Sequence, residues 1–135
     1  MEYLRYYYAK EGGLMFEWFQ GNVYTMVVTF YPTNITLNTV AASHFNDVRW
    51  CCIGLDPNNR QLAIKPVTAR EIDLGLIPLE NLHKISLGKG YARISNKLII
   101  NEISRLLDTE CNGIKFSAMF DDKQKMLIVD LNQPL

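Results

Sequence analysis

The 135 residues fit a single domain, 1–135, since domains most often run to about 100–150 residues. At 48% hydrophobic and 21% charged, the chain can bury a core and fold by itself, which excludes a disordered or purely solvating segment. Fourteen basic side chains balance 14 acidic ones, so a polyanion could be met only by a local cluster of charge.

Residues 1–13 form an N-terminal extension with Tyr3, Tyr6, Tyr7 and Tyr8, ended by Gly12 and Gly13. Glu2 and Arg5 stand where a signal peptide would carry its basic start and apolar run. No stretch reaches the roughly 18–20 apolar residues of a membrane span, so the expectation is a cytoplasmic chain without membrane contact. The extension reads as a docking arm, as a helix or strand packed on the domain, or as residues ahead of a later start at Met15. Strands at 14–20 and 23–30 then flank Gly21-Asn22, a pair suited to a tight hairpin turn, with Tyr24, Met26, Val28 and Phe30 on the core face.

After a turn at 31–34 and a strand at 35–38, Asn38 is placed to cap a helix at 39–45 whose apolar side is Val40, Ala41 and Phe45. Ser43, His44 and Asp47 do not make a triad, because adjacent residues on a helix do not face one another and no nucleophile elbow surrounds the serine. Cys51 and Cys52 are neighbours in the next strand and point to opposite faces, one to the core and one to the surface. With no Cys-x-x-Cys and no paired histidines, neither a zinc site nor a disulfide framework is expected. Asp56-Pro57-Asn58-Asn59 is a turn, and a strand resumes at Gln61. A connector covers 68–82, where Thr68 and Glu71 make a capping box for a short helix ending near Gly75, and Pro78 prevents its continuation. Its Leu74, Leu76, Ile77, Leu79 and Leu82 are too many for a free tether and should pack on the domain or on a second subunit.

Residues 83–97 hold Lys84, Lys89, Arg93 and Lys97 and no acid. Gly88 and Gly90 permit a tight turn there, although a lone Gly-x-Gly is weak evidence for phosphate binding. The stretch reads either as a nucleic-acid contact or as a solvated hairpin turn. Leu98, Ile99, Ile103, Leu106 and Leu107 then recur at helical spacing over 97–107, the helix ends around Asp108, and residues 111–113 form the exit. In the closing hairpin Ile114, Phe116, Ala118 and Phe120 alternate with Lys115, Ser117 and Met119 before a turn at 121–123 and the apolar run 126–129. Asp121 and Asp122 are turn formers, since no histidine, cysteine or glycine-rich loop partners them for acid/base work. No enzyme, cofactor, metal site or small-molecule substrate is expected.

The order strand, turn, strand, helix, hairpin occurs over 27–67 and again over 83–131. Laying Val48-Arg49-Trp50 over Ile114-Lys115-Phe116, and Gln61 to Ile64 over Lys125 to Ile128, makes the first hairpin turn two residues longer. This reads as an internal duplication, or else as two unrelated strand-rich halves. The expected fold is α+β, mostly β.

This order of elements resembles the AbrB and MraZ family of swapped-hairpin DNA-binding regulators, and two copies in one chain resemble MraZ in particular. The residues that carry the likeness are Lys89-Gly90 and Arg93-Ile94, similar to the family's Lys-Gly-Arg turn that leads into an isoleucine and a helix. Asn96 or its neighbour stands where the family has proline. The first copy has Tyr31-Pro32-Thr33-Asn34 as its turn and no basic residue between Val23 and Asn38. The resemblance implies a barrel of two repeats and a transcriptional regulator that forms homo-oligomers and sets Lys84, Lys89, Arg93 and Lys97 on duplex DNA. The alternative is a protein-interaction or assembly module that uses the aromatic N-terminus and the apolar connector.

Overall fold

Period-two alternation governs most of the computed structural model, which describes residues 15–16 and 25–135. The expected strand at 14–20, the Gly21-Asn22 turn, Tyr24 and the extension 1–13 lie outside the residues described, apart from Met15 and Phe16. In chain order come β1 (Met26–Phe30), β2 (Asn34–Asn38), α1 (Thr39–Ala42) with a 3-10 turn at Ser43–Phe45, β3 (Trp50–Asp56) and β4 (Gln61–Val67). Then follow α2 (Ala69–Asp73), a 3-10 turn at Leu79–Asn81, β5 (His83–Lys84), β6 (Ser86–Gly88), β7 (Tyr91–Ser95), α3 (Lys97–Leu107), β8 (Ile114–Asp121) and β9 (Met126–Asp130). The fold is α+β, mostly strands.

Among the described residues, nine strands join one antiparallel sheet in the order β5-β3-β4-β9-β8-β1-β2-β7-β6. The sheet curls into a nearly closed barrel, and the sequence explains how its edges meet. Its two edge strands, β5 and β6, are separated in the chain only by Ile85. That residue is 3% exposed, and its N–H donates to the Arg49 carbonyl at 2.9 Å. One extended segment therefore leaves β3 on one edge and joins β7 on the other.

Alternate residues of each strand face inward and form the core. Val28, Phe30, Ile35, Leu37, Cys51, Leu62, Ile64, Ala92, Ile94, Phe116, Leu127 and Val129 are all buried. Burying each large member stabilises the fold by about 1.5–3 kcal/mol relative to leaving it exposed. Phe30 and Phe116 meet at 5.7 Å between ring centroids with a 59° tilt, an arrangement that sets ring edge toward ring face.

The helices close the barrel ends. At one end α1 and its 3-10 turn bury Ala41, Ala42 and Phe45; at the other α3 buries Ile100 and Ile103. Asn38 caps α1, its Oδ1 accepting from Ala41 N–H and also from Val27 N–H. Asn96 caps α3 by accepting from Ile99 N–H, and the helix stops at Asp108, a left-handed residue with φ 54°. The capping box of Thr68 and Glu71 forms as expected at the head of α2, and Gly75 follows it at φ 69°.

The expected difference in length between the two hairpin turns is absent. Asp56 pairs with Gln61 and Asp121 with Met126, so each turn spans four residues. Asp56 Oδ1 accepts from the N–H groups of Asn58 and Asn59, and Asp121 Oδ1 from those of Lys123 and Gln124. Each turn closes on a left-handed residue, Arg60 at φ 53° and Lys125 at φ 56°. Pro57 sits inside the first turn without lengthening it. The connector packs less than its composition suggests: Ile72, Ile77 and Leu82 are half-buried, while Leu74, Leu76 and Leu79 are 59%, 62% and 72% exposed.

Candidate nucleic-acid interface

The four basic residues of 83–97 lie along the seam where β5, β6 and β7 close the barrel. Lys84 is on β5 opposite Trp50, Lys89 is in the turn between β6 and β7, Arg93 is on β7, and Lys97 opens α3. All four are exposed, and among the described residues none has a hydrogen-bond or ion-pair partner. They form a line and not a pocket. From Tyr91 to Ser95 alone β7 advances about 14 Å, at about 3.4 Å per residue. Spaced single charges of this kind suit a polyanion better than one small anion.

Strand register adds a residue that sequence reasoning left out. Arg93 pairs with Ser86 on one side and Thr36 on the other, Thr36 pairs with Thr29, and Thr29 pairs with Lys115. A transverse row therefore runs as Ser86, Arg93, Thr36, Thr29 and Lys115, exposed at Ser86, Arg93 and Lys115 but covered at Thr29, which is 5% exposed. Strands are spaced by about 4.8 Å, so Arg93 and Lys115 stand roughly 14 Å apart across three strand gaps. Lys115 Nζ donates to Thr29 Oγ1 at 3.3 Å, which draws the lysine over the sheet. Its outward position was legible in the alternation of β8, but its distance from Arg93 depends on pairings between strands remote in sequence.

Among the described residues, the strands of this face contribute almost no carboxylates. The sequences of β1, β2, β5, β6 and β7 contain no acid, and β8 has only Asp121 at its far end. The described acids sit instead after the 3-10 turn of α1, on the connector, on and just after α3, in the hairpin turns and at the end of β9, so the described residues carry their charge unevenly.

The turn that presents Lys89 is held in place. Gly90 has φ 84°, a conformation that favours glycine, and its carbonyl accepts from Thr39 Oγ1 at 2.6 Å. The Tyr91 ring lies so close over Gly88 that a Cβ there would come within 2.4 Å of Tyr91 Cζ.

The remaining candidate chemistries do not assemble. Ser43 Oγ donates to the Val40 carbonyl at 2.6 Å, while the His44 ring stacks on Phe120 with centroids 3.9 Å apart. Burial, and then the neighbouring Cys52, push the Cys51 thiol up to about 12, and burial raises Cys52 as well, so neither is a ready nucleophile. Hydrogen bonds from the Asn59 side chain and backbone hold Asp56 below the ordinary carboxylate range, in keeping with a turn former. Among the described residues no group of three or more His, Cys, Asp or Glu side chains could hold a metal ion, and no helix is long and apolar enough to cross a membrane.

No family model, curated protein or solved structure matches this chain.

Proposed function

We propose that this protein is a DNA-binding transcriptional regulator of AbrB/MraZ-like type, built from two tandem repeats, 27–67 and 83–131, with 68–82 as connector. The observation that carries the reading is the outer face around Arg93, whose described strands hold no acid near it and where, among the described residues, Lys84, Lys89, Arg93 and Lys97 have no partner and Lys115 extends the row. Cations unpaired within the protein remain available to phosphates, and the exposed Ser86 and Ser95 hydroxyls among them can donate hydrogen bonds to phosphate or sugar oxygens.

The strand order supports the duplication. Exchanging β1 with the segment β5–β6, β2 with β7, β3 with β8 and β4 with β9 leaves the order around the barrel unchanged. Under the same exchange the pair Val28 and Phe116 becomes His83 and Cys51, which is the observed register. The buried residues Cys51, Leu62 and Ile64 fall on Phe116, Leu127 and Val129, each pair equally far apart in sequence. Trp50 thus takes Lys115 as its counterpart, not Phe116. Each copy's two hairpins are separated by strands of the other copy within one chain, the interleaving that a swapped-hairpin resemblance implies.

A fluorescence titration against mixed-sequence duplex DNA at low and moderate salt tests the reading. Affinity should fall steeply with salt, by about 0.9 log units per log unit of salt for each phosphate neutralised. Lys89→Ala with Arg93→Ala should flatten that slope while leaving the fold intact, because both side chains are exposed. Absence of binding at low salt would overturn the proposal. A second reading, a protein-interaction or assembly module, is favoured by the three exposed connector leucines and becomes the better one if DNA is not bound.

A further inference from the structure

The two barrel ends are capped unequally. At one end the eleven-residue α3 lays Ile99 and Ile103 beside Leu55. At the other, α1 has four residues before its 3-10 turn, and the position matching Leu55 is Phe120, against which the His44 ring lies flat at an interplanar angle of 4°. Beside that stack opens a cavity of about 470 Å³, within the range of about 300–1,000 Å³ usual for small-molecule sites.

Charges of both signs line it. Lys125 comes from the β8–β9 turn and Lys65 from β4, while Asp47 follows the 3-10 turn and Glu71 comes from α2. Some of their bonding capacity is already used. Lys65 Nζ donates to the Gln124 carbonyl at 2.7 Å, and Glu71 Oε1 accepts from the Thr68 N–H and hydroxyl. The Lys125 ammonium, the Asp47 carboxylate and the His44 ring nitrogens have no hydrogen-bond or ion-pair partner among the described residues. Lys125 and Asp47 line one cavity without pairing to each other. A purely anionic ligand would meet Asp47 and Glu71, and a purely cationic one would meet the two lysines. A ligand with both charges satisfies both groups.

We propose that this cavity binds a small zwitterion of the α-amino-acid class, its carboxylate toward Lys125 and His44, its ammonium toward Asp47 and Glu71, and its hydrocarbon part against Phe120. The site lies apart from the outer face around Arg93 and does not depend on DNA binding.

The chain has two histidines, His44 beside the cavity and His83 at the seam, so each experiment carries its own reference. The ring carbon-bound protons of both are followed by NMR during titration with glycine, L-leucine, L-phenylalanine, L-lysine and L-glutamate, each to about 10 mM, which reveals millimolar binding. Acetate and methylammonium serve as half-ligands. At least one amino acid should shift His44 to saturation and leave His83 unmoved, and each half-ligand should bind at least about tenfold more weakly. Asp47→Asn and Lys125→Ala should each weaken the bound amino acid about tenfold; Lys125→Gly, which suits the left-handed backbone there, guards against a folding defect in the alanine variant. The proposal is overturned if no amino acid moves His44, if acetate or methylammonium alone matches the amino acid, or if the variants bind it unchanged.

Discussion

Asn96 Nδ2 donates to His83 Nδ1 at 3.2 Å across the seam of the barrel, while Asn96 Oδ1 accepts from the Ile99 N–H. The second bond fixes which end of the amide is the oxygen, so Nδ2 can only donate and His83 Nδ1 must be bare, with the ring proton on Nε2. One side chain thus caps α3 and ties β5 to the end of β7. Asn96→Ala should lower stability by about 2 kcal/mol in urea unfolding, roughly 1 from the cap and 1 from the seam bond. Asn96→Asp keeps the cap but offers His83 only acceptors, so ¹⁵N NMR should find the ring proton moved to Nδ1. A ring proton on Nδ1 in the unaltered protein would contradict the assignment.

The transverse row makes a claim that the contiguous basic stretch alone would not. If phosphates lie across the outer face, Lys115→Ala should weaken duplex binding and reduce the salt slope by about one unit, although Lys115 is remote in sequence from Lys84, Lys89, Arg93 and Lys97. Lys123→Ala, in the exposed β8–β9 turn, serves as a charge-matched control and should change little. Equal effects of the two substitutions would mean that general charge acts, and not this face.

Local signals are legible in the sequence, and what depends on barrel closure is not. The span of α3 follows from Asn96 before it and from the apolar spacing through Leu107, and α2 from Thr68 and Glu71; these are contacts within a few residues. The alternation of β8 gave its inward and outward faces. By contrast, nothing near Ile85 says that the chain changes edges there, because the change exists only once β3 and β7 have been brought to either side of it. The Arg93 to Lys115 row and the His44 to Phe120 stack likewise arise from pairings between distant segments. The hairpin turns failed for a different reason. Laying Trp50 over Phe116 and Gln61 over Lys125 shifts the two strands by one residue each, in opposite directions, from the match of Cys51 with Phe116 and Leu62 with Leu127, whereas an aspartate accepting two backbone N–H groups and a left-handed residue set the same four-residue length in both turns.

Gly88 should tolerate no side chain while Tyr91 keeps its place. A Cβ within 2.4 Å of the ring forces the tyrosine to swing away, and because that ring is 40% exposed the cost should lie at or below the low end of the roughly 1–3 kcal/mol that overpacking a core costs. Gly88→Ala should therefore destabilise the protein in thermal unfolding, and adding Tyr91→Ala should recover most of the loss. Additive effects in that double-mutant cycle would show that the close approach is not what requires glycine.

Acid should unfold the protein partly through its turns. Asp56 is held below the ordinary carboxylate range by the Asn59 side chain and the turn backbone, Glu71 by the Thr68 N–H, and Asp130 by the Asn132 N–H. Because their folded values lie below the ordinary 3.8 and 4.5, the unfolded chain takes up protons first. Their stabilisation is present above that range and is lost as pH falls through it toward the folded values. Asp56→Asn keeps an oxygen for the turn but removes the titrating group, so the urea midpoint should fall less steeply with acid than in the unaltered protein. An unchanged acid limb would remove Asp56 from the account.

Self-association should run through the connector. Leu74, Leu76 and Leu79 lie within six residues of one another and are each more than half exposed, and exposed apolar patches on small proteins commonly mark contacts. Zero formal net charge leaves little long-range repulsion to keep two copies apart. Sedimentation velocity over a rising concentration series should show a shift from monomer to a larger species. Leu76→Asp with Leu79→Asp should return the protein to monomer without unfolding it, because neither side chain belongs to the core and an exposed substitution costs within about 0.5 kcal/mol of stability. A monomer at every concentration would leave the leucines for a different partner, and an oligomer that survives both substitutions would place the contact elsewhere on the barrel.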